Sequence, residues 1–193
     1  NKTININNQN SMINKLEFKL TTDQNKALNE INKDLNSSNK MFRLLQGDVG
    51  SGKTIVSLIA ALNTINSGFQ VAFMAPTEIL ARQHYNLAKK IFSKNIITEI
   101  ISGKSEYKEK KEILKNLENN KVDIIFGTHA IFQKKVSYKK LGLIIIDEQH
   151  KFGVNQRKKL SDKGGDNCDV LLMTATPIPR TLTMTIYGDM DLS

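Results

Sequence analysis

Between an apolar run at residues 41–46 and a helix-period segment from Thr54 to Asn66 stands the octapeptide Gly47-Asp48-Val49-Gly50-Ser51-Gly52-Lys53-Thr54. A G-x-x-x-x-G-K-[ST] loop in that setting admits few folds. Its glycines let backbone N–H groups turn inward around phosphate oxygens, and the helix that follows adds the positive end of its dipole. Strand, loop and helix must therefore be held as one unit, with Gly47, Gly50, Ser51 and Gly52 lining the phosphates. Lys53 then supplies a point charge to the β and γ phosphates, and the Thr54 hydroxyl is placed to meet Mg²⁺. Nucleoside triphosphate binding is the expected chemistry.

The rest of the chain suits such a unit. Short Val/Ile/Leu-rich runs recur near residues 71–75, 96–101, 122–126, 143–146 and 170–173, with helix-period segments expected in the gaps between them. Strands that are apolar throughout, each followed by an amphipathic segment, require a parallel sheet covered on both faces. The expected fold is α/β, one doubly wound and mostly parallel sheet with helices on both faces. An earlier helix is predicted from Thr22 to Leu35, where Ala27, Leu28, Ile31 and Leu35 fall at helical spacing before Asn36-Ser37-Ser38-Asn39 breaks it. Residues 1–17 are polar, half Asn over the first ten, and read as a linker or N-terminal arm with little structure, ahead of a domain spanning 18–193. No internal repeat interrupts that domain, and Gly164-Gly165 reads as a surface turn.

At 193 residues, 39% hydrophobic and 24% charged, the chain has the make-up of a single globular domain and excludes disordered and collagen-like classes. No apolar run approaches the ~18 residues needed to span a bilayer. Cys168 is the sole cysteine, which rules out an intrachain disulfide and makes a reducing cytoplasm the expected compartment. It reads as a small core or edge residue. Asn1 in place of a start methionine suggests a piece of a longer chain. Much of the net charge of +9 is Lys, and a compositional drift would produce it without any binding role. Its distribution says more: nine Lys/Arg against three acids between Lys134 and Lys163, a net of +6, can supply phosphate contacts or be a solvated face.

A second chemical signal is Leu143-Ile144-Ile145-Ile146-Asp147-Glu148, an apolar strand that delivers Asp147 to its carboxyl end, where ligand sites of α/β sheets lie. Asp147 would hold Mg²⁺ through water, and Glu148 would orient and deprotonate an attacking water, which favours hydrolysis over transfer. The catalytic set is then Lys53, Asp147 and Glu148. A guanine-specific switch is disfavoured by context: Asn120-Lys121-Val122-Asp123 matches N-K-x-D but precedes a strand, and Asp162-Lys163-Gly164-Gly165 matches D-x-x-G but follows it. His84, His129 and His150 lack the spacing of a zinc site.

Taken together, these residues resemble the first, RecA-like motor domain of a superfamily-2 DNA helicase over about 18–193. The most specific stretches are Asp147-Glu148-Gln149-His150 with Lys151-Phe152-Gly153-Val154, and Met173-Thr174-Ala175-Thr176-Pro177-Ile178-Pro179-Arg180-Thr181. Within that superfamily Gln149 favours the branched-DNA translocases over the transcription-repair coupling translocase Mfd, which typically has Glu there; an Mfd- or PriA-like translocase and a non-translocating ATP-dependent binding switch are the alternatives. The resemblance implies ATP as the nucleotide, since Leu20-Thr21-Thr22-Asp23-Gln24 is similar to the family's Q motif and a Gln24 amide can both donate to and accept from an adenine edge. It adds Gln149 and His150 to the nucleotide-contacting residues. It further implies DNA as partner, contacted through phosphates by Pro76, Thr77, Ser102, Gly103, Gly127, Thr128 and His129 on one rim of the sheet. Thr174, Ala175 and Thr176 are the candidate coupling element, on a strand expected between those bearing Gln46 and Asp147. A second RecA-like domain with its arginine finger, and an upstream wedge domain, would complete the motor.

Overall fold

The apolar runs form strands that are buried on both faces, which is why none alternates apolar and polar residues. The structure, a computed structural model, describes residues 2, 4–103, 105–147, 168–175 and 191–192. In chain order the strands are β1 Phe42–Gln46, β2 Gln70–Met74, β3 Thr98–Ile101, β4 Ile124–Gly127, β5 Leu141–Ile146, β6 Asp169–Thr174 and β7 Asp191–Leu192. They assemble in the order β3-β4-β2-β5-β6-β1-β7, and every pairing is parallel. All the strand carboxyl ends therefore share one edge. β6 lies between β1 and β5, with Thr174 in register with Gln46.

Alternate residues of β1 to β6 feed two separate cores. Val71, Phe73, Leu143 and Ile145 pack toward helices α1 Ile6–Ile13, α2 Thr22–Asn36, α3 Lys53–Asn66 and α4 Glu78–Ile91. Ala72, Met74, Ile144 and Ile146 face the opposite layer, made by α5 Tyr107–Glu118 and a 3-10 turn at His129–Phe132. The doubly wound arrangement is thus as expected. The expected helix between β4 and β5 is replaced by that single turn, since the residues after it hold few apolar side chains at helical spacing: Ile131 and Val136 are buried while Lys134, Lys135, Lys139 and Lys140 are exposed. The space a helix would fill is closed in part by Tyr138, whose hydroxyl donates to the Ile131 carbonyl at 2.7 Å and whose ionisation is pushed up by burial.

Two polar constructions hold the ends of the sheet. Gln70 donates through Nε2 to the carbonyls of Leu117 and Val122 at 2.8 and 2.9 Å and accepts at Oε1 from the amides of Lys139 and Lys140, which leaves no polar valence of its amide idle. Asp169, buried at the start of β6, accepts the ammonium of buried Lys2 on one oxygen and the Met41 amide on the other, at 2.7 Å for the latter. Replacing Asp169 with alanine strands both donors, and the expected loss is about 3 to 5 kcal/mol of stability in chemical denaturation. A loss below about 1 kcal/mol would mean that the pair contributes no more than a surface contact.

The segment expected to carry little structure holds helix α1. Its Asn-rich sequence is capped by the Asn5 side chain, which accepts from the Asn8 amide at 3.2 Å. Met12 enters the core, and Gln9 joins an amide cluster in which its Oε1 accepts from Asn32 and Asn63 at 2.9 and 2.8 Å. Held through Met12 and the hydrogen bonds at Gln9, the helix needs no long apolar stripe, so hydrophobic periodicity is silent about it.

Candidate functional site

The octapeptide opens at the end of β1, where the Gly47 amide donates to the Thr174 carbonyl at 3.2 Å. Gly50 and Gly52 both have φ +81°, a region that side chains rarely enter, and Gly52 is the N-cap of α3. α3 is buried continuously from Ile55 to Thr64, so the loop is anchored on a helix packed into the core. Lys53 turns back across the loop and donates from Nζ to the carbonyls of Gly47 and Asp48 at 2.6 and 2.7 Å. Thr54 follows, half-buried in the first turn.

A cavity of about 380 Å³ lies beside this loop, between it and the start of α2. Its walls include Thr21, Gln24, Ala27, Gln46, Gly47, Asp48, Ser51 and Lys53. Thr21 and Gln24 form a capping box: Thr21 Oγ1 accepts from the Gln24 amide at 3.2 Å and Gln24 Oε1 accepts from the Thr21 amide at 2.9 Å. Gln24 Nε2 also donates to the Ser51 carbonyl at 2.7 Å. Each end of the Gln24 side chain is thus engaged once within the protein, which leaves one Nε2 hydrogen and one Oε1 lone pair for a base edge.

Asp147 continues the side of β5 occupied by Leu143 and Ile145, and so projects toward the face that carries α3 and α4. Its amide donates to the Met74 carbonyl at 2.9 Å. Its carboxylate, largely buried, is met at Oδ2 by Nε2 of His84 from α4 at 2.5 Å. The sequence alone marks His84 only as a histidine without zinc spacing. The available signal was its place at helical intervals with the buried residues Ala81, Ala88 and Ile91, which puts an imidazole on the inner face of α4. Hard oxygen donors, a carboxylate held by an imidazole and a hydroxyl at the head of α3, suit Mg²⁺. Glu148, Gln149 and His150 lie outside the described residues, as does Thr176; Thr174 is buried and Ala175 half-buried next to the loop.

The strand ends of β2, β3 and β4 come together as expected, with Met74 and Ile101 both in register with Gly127 and the Ala75 amide donating to the Gly127 carbonyl at 2.9 Å. The residues expected to face DNA differ in access. Pro76, Thr77, Gly103 and His129 are exposed and Thr128 is half-buried, whereas Ser102 and Gly127 are buried. Gly127 is hemmed between neighbouring strands: a Cβ there would sit 2.6 Å from Ile131 Cγ2 and 3.0 Å from the Ile101 carbonyl oxygen. Thr77 caps α4 by accepting from the Leu80 amide at 3.2 Å, and the Gly103 amide donates to the Glu78 carboxylate. Asp123 of the N-K-x-D match is a structural acceptor for the Ile97 amide at 2.7 Å; Asp162 to Gly165 lie outside the described residues. Cys168 is buried and its thiol is pushed up to about 12, chiefly by burial, as befits an inert core residue. Among the described residues no His/Cys/Asp/Glu group has the geometry of a metal cluster. No described helix is long and apolar enough to cross a membrane.

A glycine-rich phosphate loop opening a buried helix, two strands away from a strand-end aspartate in an all-parallel sheet, defines a RecA-like P-loop domain. The chain belongs to the DEAD/DEAH box helicase family, whose model matches residues 21–185. It is similar to the ATP-dependent DNA helicase RecG of Borreliella burgdorferi, 50% identical over 183 residues, and to that of Streptococcus pneumoniae, 52% identical over 178 residues. These matches cover 94% and 92% of this chain and 26% of each relative, so the chain spans about a quarter of their length. A structure of RecG bound to a three-way DNA junction superposes with a TM-score of 0.86 at 45% identity, over 99% of this chain and 26% of that one.

Proposed function

We propose that residues 18–193 form the first, ATP-binding motor domain of a RecG-like DNA helicase, with residues 1–17 as an N-terminal arm, packed on the domain through α1, that leads from an upstream wedge domain. The intact protein, in the cytoplasm, would couple ATP hydrolysis to translocation on branched or duplex DNA, as in fork regression and Holliday junction processing during recombination and repair. The similarity to RecG sequences over more than nine-tenths of the chain is the observation that carries this reading. A second RecA-like domain would close on the nucleotide from the far side and contribute an arginine.

The roles of the residues follow from their chemistry. Backbone amides of Gly47 to Gly52 and the head of α3 bind the phosphates, and Lys53 leaves its own loop carbonyls for the β and γ oxygens. Thr54 and Asp147 would hold Mg²⁺, which supplies neutralisation of charge on those oxygens. Glu148 takes a proton from the attacking water, and Gln24 selects adenine beside the loop. Thr174, at the end of the strand β6 that lies between β1 and β5, would together with Ala175 and Thr176 pass the state of the nucleotide to the DNA-bearing rim.

DNA binding tests this reading. The rim offers short turns and hydroxyls, which recognise phosphates and carry no base code. The intact protein is therefore expected to bind a three-way junction with steep salt dependence and no sequence preference, each neutralised duplex phosphate adding roughly −0.9 to the slope of log K against log salt. Replacing the exposed Lys134 and Lys135 should flatten that slope if this stretch faces DNA. Salt-insensitive binding, or strong preference for one base sequence, would contradict phosphate tracking.

A further inference from the structure

The aspartate at the end of β5 is held from α4, a helix that begins on the same carboxyl edge of the sheet, just after the neighbouring strand β2. His84 Nε2 stands 2.5 Å from Asp147 Oδ2, and the two side chains are 9% and 11% exposed. Because a carboxylate can only accept, the imidazole donates, in either of its protonation states. The ring is braced by Phe73 of β2, centroids 4.8 Å apart, and Phe73 in turn stacks on Phe126 of β4 at 5.1 Å. Small neighbours at Ala81 and Ala88 on the same face of α4 give the imidazole its slot. The first turn of α4 carries Thr77 and Glu78, and Glu78 also grips the Gly103 amide at the end of β3.

We propose that His84 is a positioning residue for Asp147. A strand-end carboxylate is otherwise free to turn about its terminal bond. The imidazole claims one oxygen, fixes the plane of the group and leaves Oδ1 as the oxygen offered to Mg²⁺. The same bond ties the nucleotide-side carboxylate to the helix whose N-terminus lies on the DNA-side rim. A shift of α4 on DNA binding would then reach Asp147 directly. This inference rests on the reading of Asp147 as an Mg²⁺-binding residue, and loss of such an outer partner typically costs ~10- to 100-fold in metal affinity or activity.

The test uses the intact protein and the fluorescent analogue mant-ATP, titrated with Mg²⁺ in the absence of DNA. Three variants separate positioning from packing. His84→Leu keeps bulk without a donor, His84→Asn keeps polarity but is too short to reach Oδ2, and His84→Gln carries a donor at about the reach of Nε2. The expected result is that Leu and Asn raise the Mg²⁺ concentration needed for tight mant-ATP binding by about 10- to 100-fold, with affinity in EDTA unchanged, and that Gln restores most of it. If Leu proves unfolded by its thermal transition, the contrast between Asn and Gln decides. Wild-type Mg²⁺ dependence in folded Leu or Asn variants, or a Gln variant no better than Asn, overturns the proposal. Asp147→Asn is run beside them. If it loses Mg²⁺-dependent binding while the His84 variants keep it, the role of His84 alone falls; if it too binds as wild type, the Mg²⁺ reading of Asp147 falls first.

Discussion

Exchanging Lys53 for alanine is expected to lower the ATP turnover of the intact protein a hundredfold or more. Lys53 is the sole Lys or Arg among the residues that line the cavity beside the phosphate loop, so no described neighbour there can take over its charge. Removing one preorganised contact to the charge that develops in a transition state commonly costs ~2.7 to 4 kcal/mol, which is the hundredfold to thousandfold range. The fold should not share the loss. The Lys53 ammonium is bonded to carbonyls of its own loop, and Asp48 is exposed to water that can replace it. Steady-state ATPase assays with a thermal denaturation control make the distinction. Turnover at the wild-type rate in a folded Lys53→Ala variant would remove the phosphate loop from the mechanism.

What the sequence made legible follows the kind of force involved. Burial on both faces leaves uninterrupted apolar runs, so β1 to β6 could be placed to within two or three residues, and α2 and α3 showed their extents through caps and spacing. The loop at Gly47 to Thr54 was legible because its chemistry depends on local backbone geometry. Features made by pairing across the chain were not. His84 and Asp147 are 63 residues apart and Lys2 and Asp169 are 167 apart, and neither pair has a local pattern to betray it. Helix α1 escaped because it is held in part by Gln9, which bonds Asn32 of α2 and Asn63 of α3, and not by a long apolar stripe. β7, two residues long, exists through its pairing with Arg43 and Leu44 and has no run of its own to announce it. On the rim, strand-end turns were located correctly, but whether a given residue is exposed depends on its neighbours: Gly127 and Ser102 are sealed in by adjoining strands and turns that the local sequence does not reveal.

Glu148→Gln is expected to separate binding from chemistry. The substitution keeps the size of the side chain and its capacity to hydrogen-bond, and removes the basic oxygen that would accept the proton of the attacking water. General-base assistance of this kind contributes ~10²- to 10⁴-fold, so single-turnover hydrolysis should fall by that order while mant-ATP affinity in Mg²⁺ stays within a few-fold of wild type. Asp147→Asn should show the converse emphasis, with weaker Mg²⁺-dependent binding, because it removes the charge of the group proposed to hold the metal. The measurement is a pair of curves for each variant, nucleotide binding against Mg²⁺ and product formed against time with enzyme in excess. Normal hydrolysis by Glu148→Gln would exclude it as the base and require the proton to leave through another group.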